Sequence, residues 1–514
     1  MWSQLLRKKG IDKLLADADE PEHRLRKTLG PWSLTALGIG AVIGTGIFIL
    51  TGTAAAGEVV KVQSVLKAPL IDALLHGRHA VGVAGRPGAG PAIALSFFLV
   101  AVACALAGLC YAELASMIPI AGSAYTYTYA TLGEIVAWII GWDLILEYAV
   151  SNMAVAVGFS AYIDSLLQGF GLHLPRQLAG PLFVGGQRSG AWFNLPGFLV
   201  VMILTVVLVR GIRESAGANN LMVTVKIIAI LIFIVAASRY IHVSNWKPFM
   251  PNGWQGVMTG GAIVFFTYIG FDSVSTAAEE CRNPQRDVPF GIIASLIVCT
   301  TLYCSVAIVL TGVQHWQTLR NAAPVANALH ALGLTRVERW VTVGALTGML
   351  SSLLVYQLGQ ARVWYSMSRD GMLPKVFSSV HSRFRTPHVS TIVAGFFVAI
   401  PAGLFDIGTL ADLSNIGTLF AFVLVSLGVL VLRRIQPERR RAFRTPWVPL
   451  LPIASVMCCL ILMASLPVET WLRFVVWLVI GLSIYFLYSR HHSEFGRAPR
   501  ESVAANHRPQ HVVP

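Results

Sequence analysis

Apolar residues in this chain come in uninterrupted stretches about as long as a lipid bilayer is thick. A helix needs roughly 20 apolar residues to cross ~30 Å of hydrocarbon. Twelve segments meet that length: 32–56, 91–113, 134–162, 192–210, 216–238, 254–280, 288–313, 338–367, 388–405, 409–432, 447–466 and 469–489, the last two separated by a turn around Pro467. Of the 514 residues 55 % are hydrophobic and 12 % charged, against roughly 25 % charged in soluble domains. That excludes a soluble enzyme and a disordered scaffold, and the expectation is an all-α polytopic membrane protein.

An even number of spans puts both termini on one side. On that side the arm, loops and tail hold 25 Lys and Arg; the opposite loops hold 12, and Lys226 and Arg362 fall within spans. Basic residues collect on the cytoplasmic face, so both termini are expected in the cytoplasm, at a cell inner membrane. The formal net charge of +14 then reads as a topology signal rather than as a nucleic-acid surface. Residues 1–31 read as a cytoplasmic arm without a cleavable signal, broken at Gly10 into two amphipathic pieces. Residues 490–514 form a polar, histidine-containing tail. The seven cysteines, six of them inside apolar runs, match neither a disulfide framework nor a zinc spacing. No nucleophile pattern, phosphate loop or metal-ligand spacing is present, so neither an enzyme nor a cofactor is expected.

Two spans differ from the routine Leu, Val and Ile helices. The first contains ALGIGAVIGTGIFILTG (36–52), with glycines at 38, 40, 44, 46 and 52, and the sixth contains TGGAIVFFTYIGFDSVSTAAEE (259–280). Glycine costs roughly 1 kcal/mol against alanine inside a helix, so continuity is weakened there. Unwound backbone is tolerated in a bilayer only where it is buried in protein or lines a cavity. Spans 1 and 6 each open a set of five if the chain is cut as 32–238, 254–432 and an appended pair at 447–489. Interruptions at matching positions of two halves point to a midplane binding site in an inverted-repeat transporter. The alternative is that these glycines only permit close helix packing.

At these residues the chain resembles the cationic amino acid transporter branch of the amino acid, polyamine and organocation superfamily. The words that carry the resemblance are GIGAVIGTGIF (38–48), CYAELASMIPIAGSAYTYTYATLGE (110–134), GWDLILEY (141–148), FFTYIGFDSVSTAAEE (265–280) and GQARVWYSMSRDGMLP (359–374), spread over most of residues 28–440. The resemblance implies a LeuT-like fold of five plus five inverted helices with two C-terminal helices. It also implies that Ile43, Gly44, Thr45 and Gly46 frame the substrate carboxylate, where N–H groups at a half-helix N-terminus attract an anion. The substrate ammonium is expected on backbone carbonyls of Phe266, Thr267 and Ile269. Tyr268, Phe271 and Tyr356 are the candidates for side-chain selectivity, and Phe266 also for an outer gate.

Ionisable residues inside spans are costly unless paired or wetted. The resemblance places Lys226 of span 5 beside the unwound part of span 1, as a proton carrier or as a fixed brace between spans 1, 5 and 8. Glu147 is the expected pocket or proton-relay carboxylate; Asp143, four residues earlier on the same face, is as readily a packing partner. Asp272 follows the span 6 break and reads as a pocket residue or a cap of the second half-helix. Glu279, Glu280, Arg282, Arg286 and Arg369 read as gate or loop charges, and Glu113 and Arg362 as a pair at helix ends. The chain departs from the family in residues 57–90, a long outward loop where the family has a short one, read either as a lid or as a tolerated insertion. The function expected is an amino acid permease working by alternating access with a proton as coupling ion. A sodium-coupled version using Ser351 and Ser352, an amino acid or polyamine exchanger, and a non-transporting sensor are the alternatives. The branch leaves cationic and neutral side chains open; the bilayer is the other expected partner, and a protein partner is not indicated.

Overall fold

A chain in hydrocarbon must satisfy its own backbone groups, and helices do so within one segment. The computed structural model describes residues 7–12, 29–58, 86–120, 122–184, 187–210, 215–278, 281–321, 323–384 and 386–493. Most of the amphipathic arm, the interior of the 57–90 loop, Glu279, Glu280 and the tail after residue 493 lie outside the described residues. All twelve apolar segments form helices. Spans 2 (Gly90–Met117), 3 (Glu134–Gln168), 5 (Asn219–Ser238), 6 (Gly253–Thr276), 7 (Pro284–Val313), 8 (Thr335–Arg369), 10 (Leu410–Ile435) and 12 (Val468–His492) are long enough to cross a membrane. Spans 4 (Leu195–Arg210), 9 (His388–Leu404) and 11 (Leu450–Ala464) are shorter, at 16, 17 and 15 residues.

Span 1 consists of two helices, Pro31–Val42 and Gly46–Ala56, bent by 43°. The first ends where Ile43 turns extended, with ψ of 90°. Span 6 runs as a helix over Gly253–Val264, tightens through Phe265–Tyr268 and breaks at Ile269, whose ψ is 137°, before a last turn at Ser273–Thr276. Gly270 makes the corner with φ of +113°, a conformation that side chains with a Cβ rarely adopt. Both interruptions therefore fall in the spans whose sequences weaken helical continuity.

The packing has an internal correspondence. Span 3 packs on spans 8 and 10, span 8 on spans 3 and 5, span 4 on span 9, span 2 on span 7, span 1 on span 7, and span 6 on span 2. Exchanging spans 1–5 with spans 6–10 maps 3–10 onto 5–8 and 1–7 onto 2–6, and leaves 3–8, 4–9 and 2–7 unchanged, so the set maps onto itself. Two units of five helices related by a pseudo-twofold axis in the membrane plane have this property, and the LeuT-like arrangement is that fold. Spans 11 and 12 are appended on the outside. Span 12 is held to span 3 by Trp142 and Trp477, whose rings stack at 4.4 Å and whose indole N–H groups each donate to the other's backbone carbonyl at 2.8 and 3.1 Å.

The connections on the N-terminal side are themselves structured. Residues 123–131, between spans 2 and 3, form a helix buried along its length against spans 3 and 10. The arm threads beneath it: Lys9 donates its backbone N–H to Tyr129 O at 3.2 Å and its ammonium to Asp370 at the end of span 8 at 3.1 Å, while Tyr125 donates to the other Asp370 oxygen at 2.6 Å. Nearby, Glu113 at the end of span 2 accepts from Arg433 Nε and Nη2, both at 2.8 Å, from Arg441 Nε at 3.1 Å, and from the Thr445 N–H at 2.7 Å. Its partners thus come from span 10 and the loop after it.

Removing one member of a buried ion cluster leaves uncompensated charge and costs about 3–5 kcal/mol, whereas an exposed i,i+4 pair contributes about 0.5 kcal/mol. Glu113→Gln is therefore expected to lower the thermal unfolding midpoint of the detergent-purified protein by many degrees. Arg473→Gln, which removes a half-exposed partner of Glu469 at 3.4 Å, should leave the midpoint within about a degree. Equal effects would show that the Glu113 cluster does not brace the bundle.

Candidate substrate site at the two helix breaks

Interrupting a helix orphans carbonyls on one side of the gap and N–H groups on the other. In span 1 the orphaned carbonyls belong to the end of Pro31–Val42. Lys226 from span 5 reaches them: its ammonium donates to Gly40 O at 2.8 Å, to Ile43 O at 2.8 Å and to Ser351 Oγ at 2.9 Å. Ser352 donates to Gly40 O at 2.9 Å and approaches Ile43 O at 3.2 Å. The lysine is fully buried, and every one of its three acceptors is neutral. One ammonium thus ties spans 1, 5 and 8 together.

The two breaks touch. A Cβ added to Gly46 would lie 2.9 Å from Thr267 Cα, and one added to Gly270 would lie 2.8 Å from Ala41 Cβ and 3.1 Å from the Tyr356 hydroxyl. Only hydrogen at these positions allows such an approach. Gly44 faces Ser352 in the same way, since a methyl added there would lie 2.8 Å from its Oγ. Tyr303 of span 7 stands between the breaks, its hydroxyl 2.9 Å from both Val42 O and Thr267 O, so a single proton serves two carbonyls. Tyr356 of span 8 donates to Ile269 O at 2.8 Å. Thr45 donates to Val155 O of span 3 at 3.3 Å, and Tyr162 of the same span donates to Phe48 O at 2.9 Å.

The sequence-predicted residues thus fall into two groups. Ile43, Gly44, Thr45, Gly46, Thr267, Ile269, Tyr356 and Lys226 meet at the breaks through their backbones or polar tips, and Phe266 lies buried between Phe265 and Thr267 in the tightened turn. Tyr268 points toward span 2, donating to Phe97 O at 3.1 Å with its ring against Phe97 and Tyr303. Phe271 packs between Tyr111 of span 2 and Phe422 of span 10.

Asp272 does not cap the second half-helix of span 6. It occupies the N-cap position with helical φ and ψ of −64° and −26° and makes no side-chain cap bond; capping needs an extended residue there. Its Oδ2 accepts instead from Tyr148 of span 3 at 3.1 Å. Glu147 and Asp143 lie close by on span 3, the charges nearest Glu147 being Asp272 and Asp143. All three are buried; among the described residues neither oxygen of Asp143 has a hydrogen-bond partner, and the one donor beside Glu147 is the Thr418 hydroxyl of span 10. Tyr111, whose hydroxyl is likewise unpartnered, borders the same group. The result is an acidic, phenolic compartment beside the span 6 break. Among the described residues, no group of three or more His, Cys, Asp or Glu side chains could hold a metal ion.

Sequence reasoning did not single out Tyr303, Tyr162, Tyr148 or Tyr111. Tyr303 and Tyr162 show in the sequence only as phenols inside apolar spans, as in TTLYCSVAIV, and Tyr111 and Tyr148 also as members of the family words at 110–134 and 141–148; neither signal says where the hydroxyl points.

The chain is similar along most of its length to known membrane transporters. A family model described as amino acid permease matches residues 29–488. The methylthioribose transporter of Bacillus subtilis is 46 % identical over 491 residues, covering 96 % of this chain and 99 % of that protein. The branched-chain amino acid permease BcaP of the same organism is 46 % identical over 499 residues, covering 97 % and 100 %. Cationic amino acid transporter 4 of Arabidopsis thaliana, a vacuolar protein, is 35 % identical over 442 residues, covering 85 % and 68 %. With its twelve spans, paired breaks and this extent of similarity, the chain is a multi-pass membrane protein of the amino acid permease family.

Proposed function

We propose that the protein is a proton-coupled amino acid symporter of the cytoplasmic membrane, with both termini in the cytoplasm, that works by alternating access. The observation that carries this reading is the contact between the two breaks, with the Lys226 ammonium filling the carbonyl end of one of them. An α-amino acid carries both charges that interrupted helices attract. Its carboxylate suits the N–H groups of Thr45 and Gly46 at the start of the second half of span 1. Its ammonium suits the carbonyls of Phe266, Thr267 and Ile269 at the end of the first half of span 6. Two of those carbonyls now accept from the hydroxyls of Tyr303 and Tyr356, so a substrate ammonium would exchange with phenols rather than with bare backbone.

Coupling follows from the same atoms. Gly40 O, Ile43 O and Ser351 Oγ are the oxygens a sodium ion would require, and Lys226 Nζ already lies among them. This arrangement favours the proton over sodium. Loss of the lysine proton removes the charge that neutral acceptors on span 1 hold, which loosens span 1 from spans 5 and 8. Alternating access needs such a bistable contact.

The side chain of the substrate would face the compartment of Glu147, Asp272, Tyr111 and Tyr148. Buried carboxylates that have only the hydroxyls of Thr418 and Tyr148 as donors favour a side chain that brings further hydrogen-bond donors. Relatives of equal identity are named for methylthioribose and for branched-chain amino acids, so the overall similarity does not choose between polar and apolar cargo. The local chemistry favours a donor-bearing side chain, cationic amino acids included.

Reconstituted into liposomes, the protein should accumulate labelled amino acids only under an imposed proton gradient, and replacing sodium with choline should change nothing. Lys226→Met should reduce uptake to background, and Tyr303→Phe, which removes one donor worth about 1 kcal/mol, should reduce it about fivefold. Gradient-independent uptake, or full activity of Lys226→Met, would overturn proton coupling.

For the side-chain compartment, lysine and arginine should compete with the labelled substrate better than leucine does, and Glu147→Gln should erase that preference. Leucine winning in the wild type would refute the assignment of a donor-bearing side chain.

A further inference from the structure

A cavity of about 500 Å³ lies outside the central site, at the rim where spans 1 and 7 begin, bordered by Pro31, Trp32, Arg282, Arg286, Asp287 and Phe290. We propose that it binds the headgroup of an anionic phospholipid from the leaflet on the side of the termini. The proposal does not rest on the transport reading.

The charges come first. Arg282 and Arg286 flank the N-terminus of span 7, where Asn283 occupies the N-cap position. A cation at a helix N-terminus opposes the helix dipole, and both arginines are exposed, with no anionic partner among the described residues. The one acid of the cavity, Asp287, is turned inward at 6 % exposure, with its Oδ2 facing the Cys281 thiol. An anion between the two arginines would remove their repulsion and satisfy the dipole at once. Arginine is also suited to bidentate contact with phosphate.

The aromatic rings identify the source of the phosphate. Trp32 is 74 % and Phe290 42 % exposed, and their rings meet edge to face at 5.5 Å. Phe290 lies six residues into span 7, about 9 Å deeper than the helix start. The cavity is therefore layered, with guanidinium groups at the rim and aromatic faces below. A phospholipid has that order of chemistry, an anionic head above a glyceryl and acyl root, and interfacial aromatic belts sit at this depth. Free phosphate would use the arginines and leave the rings without a role. The backbone fixes the layout, since Arg282 donates its N–H to Leu29 O at 3.0 Å and so ties the start of span 7 to the start of span 1. A lipid seated here would brace the two.

The test uses the full-length protein in neutral detergent, titrated with phosphatidylglycerol or phosphatidylcholine and read by native mass spectrometry. Saturable binding of phosphatidylglycerol is expected, weakened about tenfold or more in Arg282→Gln/Arg286→Gln, unchanged in Arg239→Gln/Lys247→Gln on the opposite rim, and not displaced by inorganic phosphate. In wild-type vesicles a photoreactive phosphatidylglycerol should label the peptide containing Trp32 or that containing residues 282–290, which decides the matter if the double variant fails to fold. Equal binding of phosphatidylcholine, displacement by inorganic phosphate, full affinity in the double variant, or labelling elsewhere would each overturn the proposal.

Discussion

The carbonyls freed where span 1 stops being helical have to be satisfied without water, and much of the bundle is arranged around that requirement. An unpaired carbonyl in such surroundings costs several kcal/mol. Here the donors arrive laterally from three other spans: Lys226 from span 5, Tyr303 from span 7, and Ser351, at 3.2 Å from Gly40 O, and Ser352 from span 8. Each of those spans must come close enough to deliver a short polar tip, which accounts for the glycines and small residues that line the contact. The interruption is therefore what sets the spacing of the surrounding helices.

The centre and the rim are held by different kinds of bond. At the rim, Glu113 meets two arginines, and Arg86 clasps Asp412 through two bonds at 2.8 and 3.0 Å. Breaking one partner of such a cluster costs about 3–5 kcal/mol. At the breaks the contacts are hydroxyl or ammonium to neutral carbonyl, each worth about 1 kcal/mol for a neutral donor and each replaceable by an equivalent donor on a ligand. The weaker, exchangeable bonds lie where two interrupted helices meet, and the carboxylate–arginine clusters lie away from the breaks. That distribution lets parts of spans 1 and 6 move against a frame that stays assembled.

Much of this was legible in the sequence because the bilayer restricts the choices. The twelve apolar runs could only be helices, and the glycine content of residues 36–52 marked the first break. Lys226 stood out as a charge in an aliphatic run, and its place beside the unwound part of span 1 followed from the family resemblance, whereas its acceptors Gly40 O and Ile43 O did not. Other features depended on direction rather than composition. Tyr268 and Tyr356 are both tyrosines near the break, yet one points to span 2 and the other to Ile269 O; a one-dimensional pattern does not encode that rotation. Asp272 occupies a capping position, but its helical dihedrals turn the carboxylate toward Tyr148. The helix at 123–131 lacks an apolar periodicity because it is buried on every side, so its signal vanished into the turn residues around it.

Spans 4 and 9 pack against each other, and their described helices, 16 and 17 residues, are about 24 and 26 Å long. Their outward residues, among them Ile203, Val206, Phe396 and Ile400, are exposed apolar side chains. A hydrocarbon layer of ~30 Å cannot meet such a pair without thinning locally or wetting its ends, at a fraction of a kcal/mol per Å of mismatch. Along this flank the described helices match a bilayer thinner than one of ~30 Å. Acyl-chain length becomes a mechanical load on the two helices, and a thicker bilayer presses hardest on the side of the bundle where they lie.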